Sequence, residues 1–516
     1  MELSPSGTPI KSKSFTRGLV DPTKDIETLN EFSERPQTIW DLPKIPYTYL
    51  ATYPSKTKAP KHKQIATIHI TALQASMDEM NQNPYNDRDY RVDFRFINSK
   101  TIHSVRNITM KTSVKSSKAH SKQAYKFKFD TKFNQTFFRR LNIKLRSRVM
   151  DPTLMREKVY IDMLNSVGVP TQQGEWVRLF VNNEPIGLYL MVDDIAKSFV
   201  KQTVHGGDDK IERGSLIQMN AYNGDRADLE YKGPTSSSYN QLVAYVNKNL
   251  GSSPATDSLK ELIVFMKDLR TFDPTSTLNP VQYFNSTRLE LDGFLRNMVL
   301  EYLGGAFDNY WGSASNYFMY KNPTLGPDGG NWQWLPRDFD GTFGNGAPTS
   351  KLPTYKNNHD FTTEGDRPAV HKLIIQNKEI NALFEQTIKD IVCTAFKTEA
   401  HKPRIEMYNK VLSLDAAWDI GLKRKSPGTH NGFTFEDFNN NLYGRTKDRT
   451  TGLLPWTEQM SALVASDLNF QILAGLVDRV PPPPKGKALW ITTMVMTMIK
   501  SLRKTMERGG FKGRAG

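Results

Sequence analysis

The chain has 516 residues, 69 Lys and Arg against 54 Asp and Glu, and a net charge of +15. Apolar residues make up 38% and aromatics 11%, which excludes a wholly disordered chain and leaves room for roughly two to four domains. A single cysteine, Cys393, excludes an intramolecular disulfide, and the basic balance points to a polyanion: nucleic acid, an anionic surface or nucleotide phosphates.

Residues 1–62 are polar and rich in Pro, Ser and Lys, and read as an irregular arm. The opening MELSPSGTPIKSKS has no apolar stretch, so no signal peptide is expected. Strand signals follow: Ile65 to Ile70 alternate, Val92, Phe94 and Phe96 share a face, as do Tyr125, Phe127 and Phe129, and then Leu141, Ile143 and Leu145. Between Lys111 and Arg148 lie twelve Lys or Arg and one acid, Asp130. That stretch has no RNA-binding or helix-turn-helix motif, and its lysines partly alternate with core aromatics. A solvated strand face is therefore expected there rather than a nucleic-acid site.

A helix is predicted over 151–167, with Asp151 as N-cap, Pro152 in the first turn and Gly168 as the stop. Two strands, Trp176 to Val181 and Ile186 to Val192, flank the turn Asn182-Asn183-Glu184-Pro185. From Thr256 the pattern is mainly helical, with helices over 289–303, 368–400, 404–420 and 457–478. Pro481 to Pro484 end the folded part. The apolar run Ala488 to Ile499 is too short to span a bilayer. The fold class is therefore α+β with two lobes: an arm (1–62), a strand-rich lobe with one helix (63–195), a helical lobe (196–480) and a tail (481–516).

Two constellations carry chemistry. On the 151–167 helix, Glu157 falls on the stripe of Leu154, Ile161 and Leu164. A buried carboxylate there needs a cation, and Lys144 or Arg146 on the preceding strand could supply it; the alternative is a glutamate reaching water at the stripe's edge. Further on, the strands Tyr317 to Lys321 and Trp332 to Leu335 form a predicted hairpin with Asp308 before it and Asp338-Phe339-Asp340-Gly341 after it. A hairpin brings its ends together, so Asp308, Asn316 and Asp338 can converge. Such oxygen donors suit Mg²⁺ and phosphoryl transfer, although Asp338 and Asp340 also suit an ordinary turn before Gly341. Walker A, H-E-x-x-H, C-x-x-C and G-x-S-x-G motifs are absent from the sequence, and its nine histidines are scattered.

Three stretches together resemble the spore coat protein H (CotH) kinase family, and its fungal, mucoralean branch most closely. They are LNIKLRSRVMDPTLMREKVYIDMLNSVGVPTQQGEWVRLFVNNEPIGLYLMVDDI (141–195), FDNYWGSASNYFMYKN (307–322) and WQWLPRDFDGTFGNG (332–346). The resemblance implies an atypical protein-kinase-like fold and transfer of phosphate from ATP, with Mg²⁺ or Mn²⁺, to Ser or Thr of a protein. By it, Lys144, with Arg146 beside it, would hold the nucleotide phosphates and Glu157 would orient Lys144. Val192, Asp193 and Asp194 would form the interlobe hinge and Asp308 would be the catalytic aspartate. Asn316 and Asp338, with Asp340 as a possible second carboxylate, would bind metal. The Asp308–Asn316 interval is longer than in ordinary protein kinases, and Asp340 stands where they have glycine. Fungal members are also described as surface proteins that bind host receptors. The resemblance thus implies a secreted or cell-surface protein with a host or cell-wall partner, whereas the missing leader points to the cytoplasm.

Overall fold

A computed structural model describes residues 42–43, 65–98, 101–113, 116–326, 330–346, 352–357, 366–446 and 451–472. Most of the predicted arm, the Pro481–Pro484 segment and the 488–499 run lie outside the described residues. Leu42 of the arm is buried in the main core. No helix among the described residues is long and apolar enough to cross a membrane.

Seven strands close a barrel in the order β1-β2-β3-β4-β5-β7-β6. They are β1 (Ala66–Thr71), β2 (Tyr90–Ile97), β3 (Ile102–Ser113), β4 (Ala124–Lys128), β5 (Asn142–Arg146), β6 (Gly174–Val181) and β7 (Glu184–Asp193). Strict alternation drives the closure. Along β2, Tyr90, Val92, Phe94 and Phe96 are buried while Arg91, Asp93 and Arg95 face water. Phe94 sits 5.5 Å from each of Phe127, Phe129 and Phe137, edge to face. β1 completes the ring by pairing antiparallel with β2 and parallel with β6, where Ala66 faces Val177.

β6 and β7 are covered on both sides. Val177, Leu179, Tyr189 and Met191 point into the barrel, while Trp176, Leu188, Leu190 and Val192 join a second, larger core outside it. That core is built on α2 (Arg156–Ser166), which follows α1 (Gln74–Gln82). The helix begins five residues later than its predicted cap. Asp151 instead accepts hydrogen bonds from the Thr153 and Arg156 backbone at 3.0 and 2.8 Å, and Leu154 at φ +60° interrupts the helical run.

The second half is not purely helical. After α3 (Lys197–Phe199), the strands β8 (Leu216–Met219), β9 (Ala221–Tyr222), β10 (Asp225–Arg226) and β11 (Tyr245–Asn249) appear where none was predicted. β8 and β11 join the predicted hairpin, β12 (Tyr317–Asn322) and β13 (Asn331–Pro336), in a sheet of order β11-β8-β12-β13. Around it stand α4 (Lys260–Thr271), α5 (Pro280–Thr287), α6 (Leu291–Leu303), α7 (Tyr310–Ser313), α8 (Lys378–Thr394), α9 (Thr398–Ile420), α10 (Phe435–Asn440) and α11 (Leu453–Asp467). The helix predicted over 368–400 breaks at Asn377, which turns extended and caps α8 by accepting from Ile380 N at 2.9 Å. The next helix starts earlier than predicted, at Thr398, and carries Pro403 within it.

Ion pairs fasten α9 to its neighbours. Asp419 accepts from Lys122 Nζ at 2.8 Å and from Leu188 N at 2.9 Å, and Asp162 of α2 accepts from Arg404 at 2.8 Å and from Tyr408 at 2.6 Å. Gly187 of β7 runs so close to Asp419 that a Cβ would lie 2.3 Å from its Oδ1. Within α6, Glu301 is 3% exposed. It accepts from Trp311 N and from Asn297 Nδ2, at 2.8 and 2.9 Å, so it anchors α7. Burial pushes its carboxyl up to about 7.

Two outcomes follow from these packings. Phe94→Ala should lower unfolding free energy by about 3–5 kcal/mol in a denaturant titration, because the aromatic centre cannot collapse around the void. For Glu301, the raised native pKa means the folded state binds more protons than the unfolded state between the ordinary glutamate value and about 7. The wild type should therefore lose stability as pH rises through that window. Glu301→Gln should remove that loss, making the variant more stable than wild type at pH 8 by on the order of 2–3 kcal/mol, with the gap closing near pH 5. Melting curves across pH check this.

Candidate active site

Alternation on β4 and β5 decides which side chains leave the barrel. Tyr125, Phe127, Ile143 and Leu145 point inward, which puts Lys126, Lys144 and Arg146 on the outer face; Lys126 and Lys144 are register partners. Both lysines reach Asp194 just beyond β7, Lys126 at 2.6 Å and Lys144 at 2.5 Å. Burial opposes ionisation of Asp194, but the two ammonium groups outweigh it and hold its carboxyl well below the usual range. Burial lowers the Lys144 pKa, with Asp194 opposing. Lys248 of β11 is lowered by burial and feels Asp194 and Lys126 as well.

Glu157 of α2 is fully buried and does meet a cation, but that cation is not Lys144. Arg146 Nε donates to Glu157 Oε2 at 3.2 Å, Arg148 Nη1 donates to the same oxygen, and Gln172 Nε2 donates to Oε1 at 2.8 Å. The reason is strand length: β5 places Arg146 two residues nearer the helix than Lys144, which stays beside Asp194. Val192 and Asp193, expected at a hinge, are strand residues paired with Lys144 and Ile143. Asp193 also accepts from Arg140 and from Gln173 N. Of the three, Asp194 faces the lysines.

The hairpin does bring its ends together. Tyr317 pairs with Pro336, Arg337 N donates to Asn316 O at 3.0 Å, and Asn309 Nδ2 donates to Arg337 O at 2.9 Å. Asn316 Nδ2 in turn donates to Asp308 Oδ2 at 2.8 Å. Gly312 allows the longer loop between them, since a Cβ there would lie 2.0 Å from Phe307 O. Asn316 at φ +60° and Asp338 at φ +65° are held in the left-handed region, a strain typical of functional turns. Between the two aspartates of the turn, Phe339 is fully buried and stacks on Tyr160 of α2 at 4.6 Å.

Arg146 also spans to this turn. Its Nη1 donates to Asp338 Oδ2 at 2.8 Å, Nη2 donates to Oδ1, and Asp340 Oδ1 lies 3.4 Å from Nη2. Burial works against ionisation of Asp338, but the Arg146 and Arg337 guanidiniums outweigh it and hold that carboxyl well below the usual range. Burial pushes the Asp340 carboxyl up, against the pull of Arg146 and with added repulsion from Asp338. Asp308 is open to solvent. Its carboxyl is nonetheless pushed up to about 7, first by restricted hydration around it and then by the charges of Asp338 and Asp340.

Of the residues expected to bind metal, Asn316 donates its Nδ2 to Asp308, so its Oδ1 is the atom a cation would take, and both Asp338 oxygens accept from Arg146, with Asp340 3.4 Å from the same guanidinium. Among the described residues no group of three or more His, Cys, Asp or Glu is gathered as for a metal ion. A divalent ion on Asp338 would compete with the bidentate Arg146 guanidinium. Sequence reasoning missed Lys126, Arg148, Lys248 and Arg337. The signal for Lys126 was its alternation with Tyr125 and Phe127; the signal for Arg337 was its place directly before Asp338. Arg148 and Lys248 lie at the margins of strands whose ends the pattern does not mark.

A family model described as CotH kinase protein matches residues 114–441, which spans both constellations. Invasin CotH2 of Rhizopus delemar is 27% identical over 492 residues, covering 92% of this chain and 79% of that protein. Invasin CotH3 of the same fungus is 28% identical, covering 92% and 78%. Inner spore coat protein H of Bacillus subtilis is 21% identical, covering 54% of this chain and 69% of that protein. With a family match over more than half its length, and with the barrel strands β4 to β7, the buried Glu157 and the Asp308–Asp338 hairpin inside it, the chain belongs to the CotH kinase family.

Proposed function

We propose that the chain is an atypical protein kinase that transfers the γ-phosphate of ATP to a Ser or Thr hydroxyl of a protein. In this reading the barrel with α2 (63–195) is the N-lobe of a kinase-like fold and the rest, to about 480, is the C-lobe. The observation that carries it is the convergence of Asp308 with the Asp338 turn, which Arg146 of the barrel grips; desolvation and the neighbouring Asp338 and Asp340 push the Asp308 carboxyl up to about 7. A base is most effective when its pKa lies near the working pH. Asp308 would accept the hydroxyl proton as the new O–P bond forms and the bond to the β-phosphate oxygen breaks, releasing ADP. Lys144 and Lys126 would hold the phosphates in place of their present partner Asp194 or alongside it, with Arg337, which now donates to Asn220, as a third cation. Mg²⁺ or Mn²⁺ would travel with ATP, as it does for kinases in general.

A second reading rests on the relatives' names. Invasin CotH2 and CotH3 suggest a surface adhesin that binds a host or cell-wall receptor, and a net charge of +15 suits an anionic surface. Binding of that kind should survive loss of Asp308.

Incubation with γ-labelled ATP, MgCl₂ or MnCl₂ and a Ser-rich protein should label the protein, and Asp308→Asn should cut the rate by about 10²–10⁴. No labelling by the wild type, or equal labelling by Asp308→Asn, sinks the kinase reading. Lys144 and Glu157 should separate by assay. Glu157→Gln leaves Arg146 and Arg148 buried against too little negative charge and should cost about 3–5 kcal/mol in a denaturant titration. Lys144→Met should change stability far less and weaken nucleotide binding, measured by titration calorimetry.

A further inference from the structure

Behind Glu157, between the barrel and the loop that follows α9, lies a cavity of about 60 Å³ lined in part by Ser121, Lys122, Ser147, Arg148, Arg424 and Asn431. Two guanidiniums on its wall have donors left over. Arg148, 3% exposed, gives Nη1 to Glu157, but its Nε and Nη2 are buried without a hydrogen-bond partner. Nη2 approaches Asp151 only to 3.7 Å, too far for a hydrogen bond. Arg424 spends Nη1 and Nη2 on Asp419 and on the Ile186 carbonyl, while its Nε is likewise buried and unpartnered. Buried donors left unmade are costly, and three of them on two guanidiniums of one small cavity call for an acceptor.

The wall also carries two carboxylates, and both are already engaged. Asp151 accepts from Arg156 Nη1 at 2.7 Å, Arg156 N at 2.8 Å and Thr153. Asp419 accepts from Lys122, Leu188 N and Arg424. Lys122 and Arg424 are thus paired with Asp419 and Arg148 with Glu157, and what remains for a ligand is the unmade donors of Arg148 and Arg424. The volume is room for roughly four or five water-sized atoms, the heavy-atom count of a tetrahedral oxyanion. We propose that this cavity binds one small inorganic oxyanion, sulfate or phosphate, between Arg148 and Arg424. Because Arg148 also holds Glu157, the ion ties the loop after α9 to the helix that carries Glu157. The site is separate from the proposed nucleotide face and does not depend on phosphate transfer.

Equilibrium dialysis of the full chain against labelled sulfate, in chloride buffer at fixed ionic strength, tests it. The wild type should bind one sulfate per chain, with half-saturation at about 1 mM or below. Arg424→Gln should weaken it about tenfold or more, and Ser121→Leu, which fills the cavity and keeps every charge, should abolish it, with circular dichroism confirming that both variants fold. Lys144→Gln should bind as the wild type does. Absence of binding in the wild type, or unchanged binding in both Arg424→Gln and Ser121→Leu, means the cavity holds water alone and overturns the proposal. Loss of binding in Lys144→Gln places the ion on the nucleotide face and overturns it equally.

Discussion

One guanidinium joins the three parts of this molecule. Arg146 leaves the last position of β5, meets Glu157 of α2 and closes bidentately on Asp338 beyond β13. Barrel, helix and hairpin therefore share a single buried charge cluster. Such a cluster is weak evidence of net stability, because desolvation offsets most of the attraction. Its stronger effect is geometric: an Arg fork accepts few arrangements, so the three elements are held in one relation. Phe339 adds an apolar counterpart by stacking on Tyr160, so the Asp338 turn is fixed to α2 by both charge and packing.

Around this cluster the charges separate into two surfaces. Lys126 and Lys144 pair with Asp194 and Lys248 lies near it, while Asp308, Asp338 and Asp340 lie together at the hairpin's mouth, where Arg337 acts chiefly on Asp338. Arg146 stands at their boundary and compensates the acids. The carboxyl of Asp308 is raised first by desolvation and then by that crowding, which its hydrogen bond from Asn316 and the charge of Arg337 only partly offset.

Much of the barrel was legible because period-two alternation is a strong local signal, as in Val92-Phe94-Phe96 and Ile143-Leu145. The hairpin was legible for the same reason, and its convergence of Asp308 and Asp338 follows from antiparallel pairing alone. Other features were not. β8 and β11 are short strands whose partners lie far along the chain, so no local pattern announces them. The partner of Glu157 could be narrowed to Lys144 or Arg146 by face, but two residues on one face differ only in how far along the strand they sit. Family resemblance favoured the lysine; packing delivered the arginine. Asp151 kept a capping role, though through a turn that Leu154's backbone imposes rather than as the first residue of the helix.

The parallel join of β1 to β6 has a consequence for how the chain is made. On the ribosome, β1 emerges with one edge that β2 can cover soon after. Its other edge must wait until Val181 has been synthesised, on the order of ten seconds later at ordinary elongation rates. For that interval the nascent barrel is an open sheet with the six-residue edge of β1 unpaired, the kind of surface that recruits strands from neighbouring chains. Sealing the ring, rather than forming any one hairpin, is then the step at which a newborn molecule becomes safe from its neighbours.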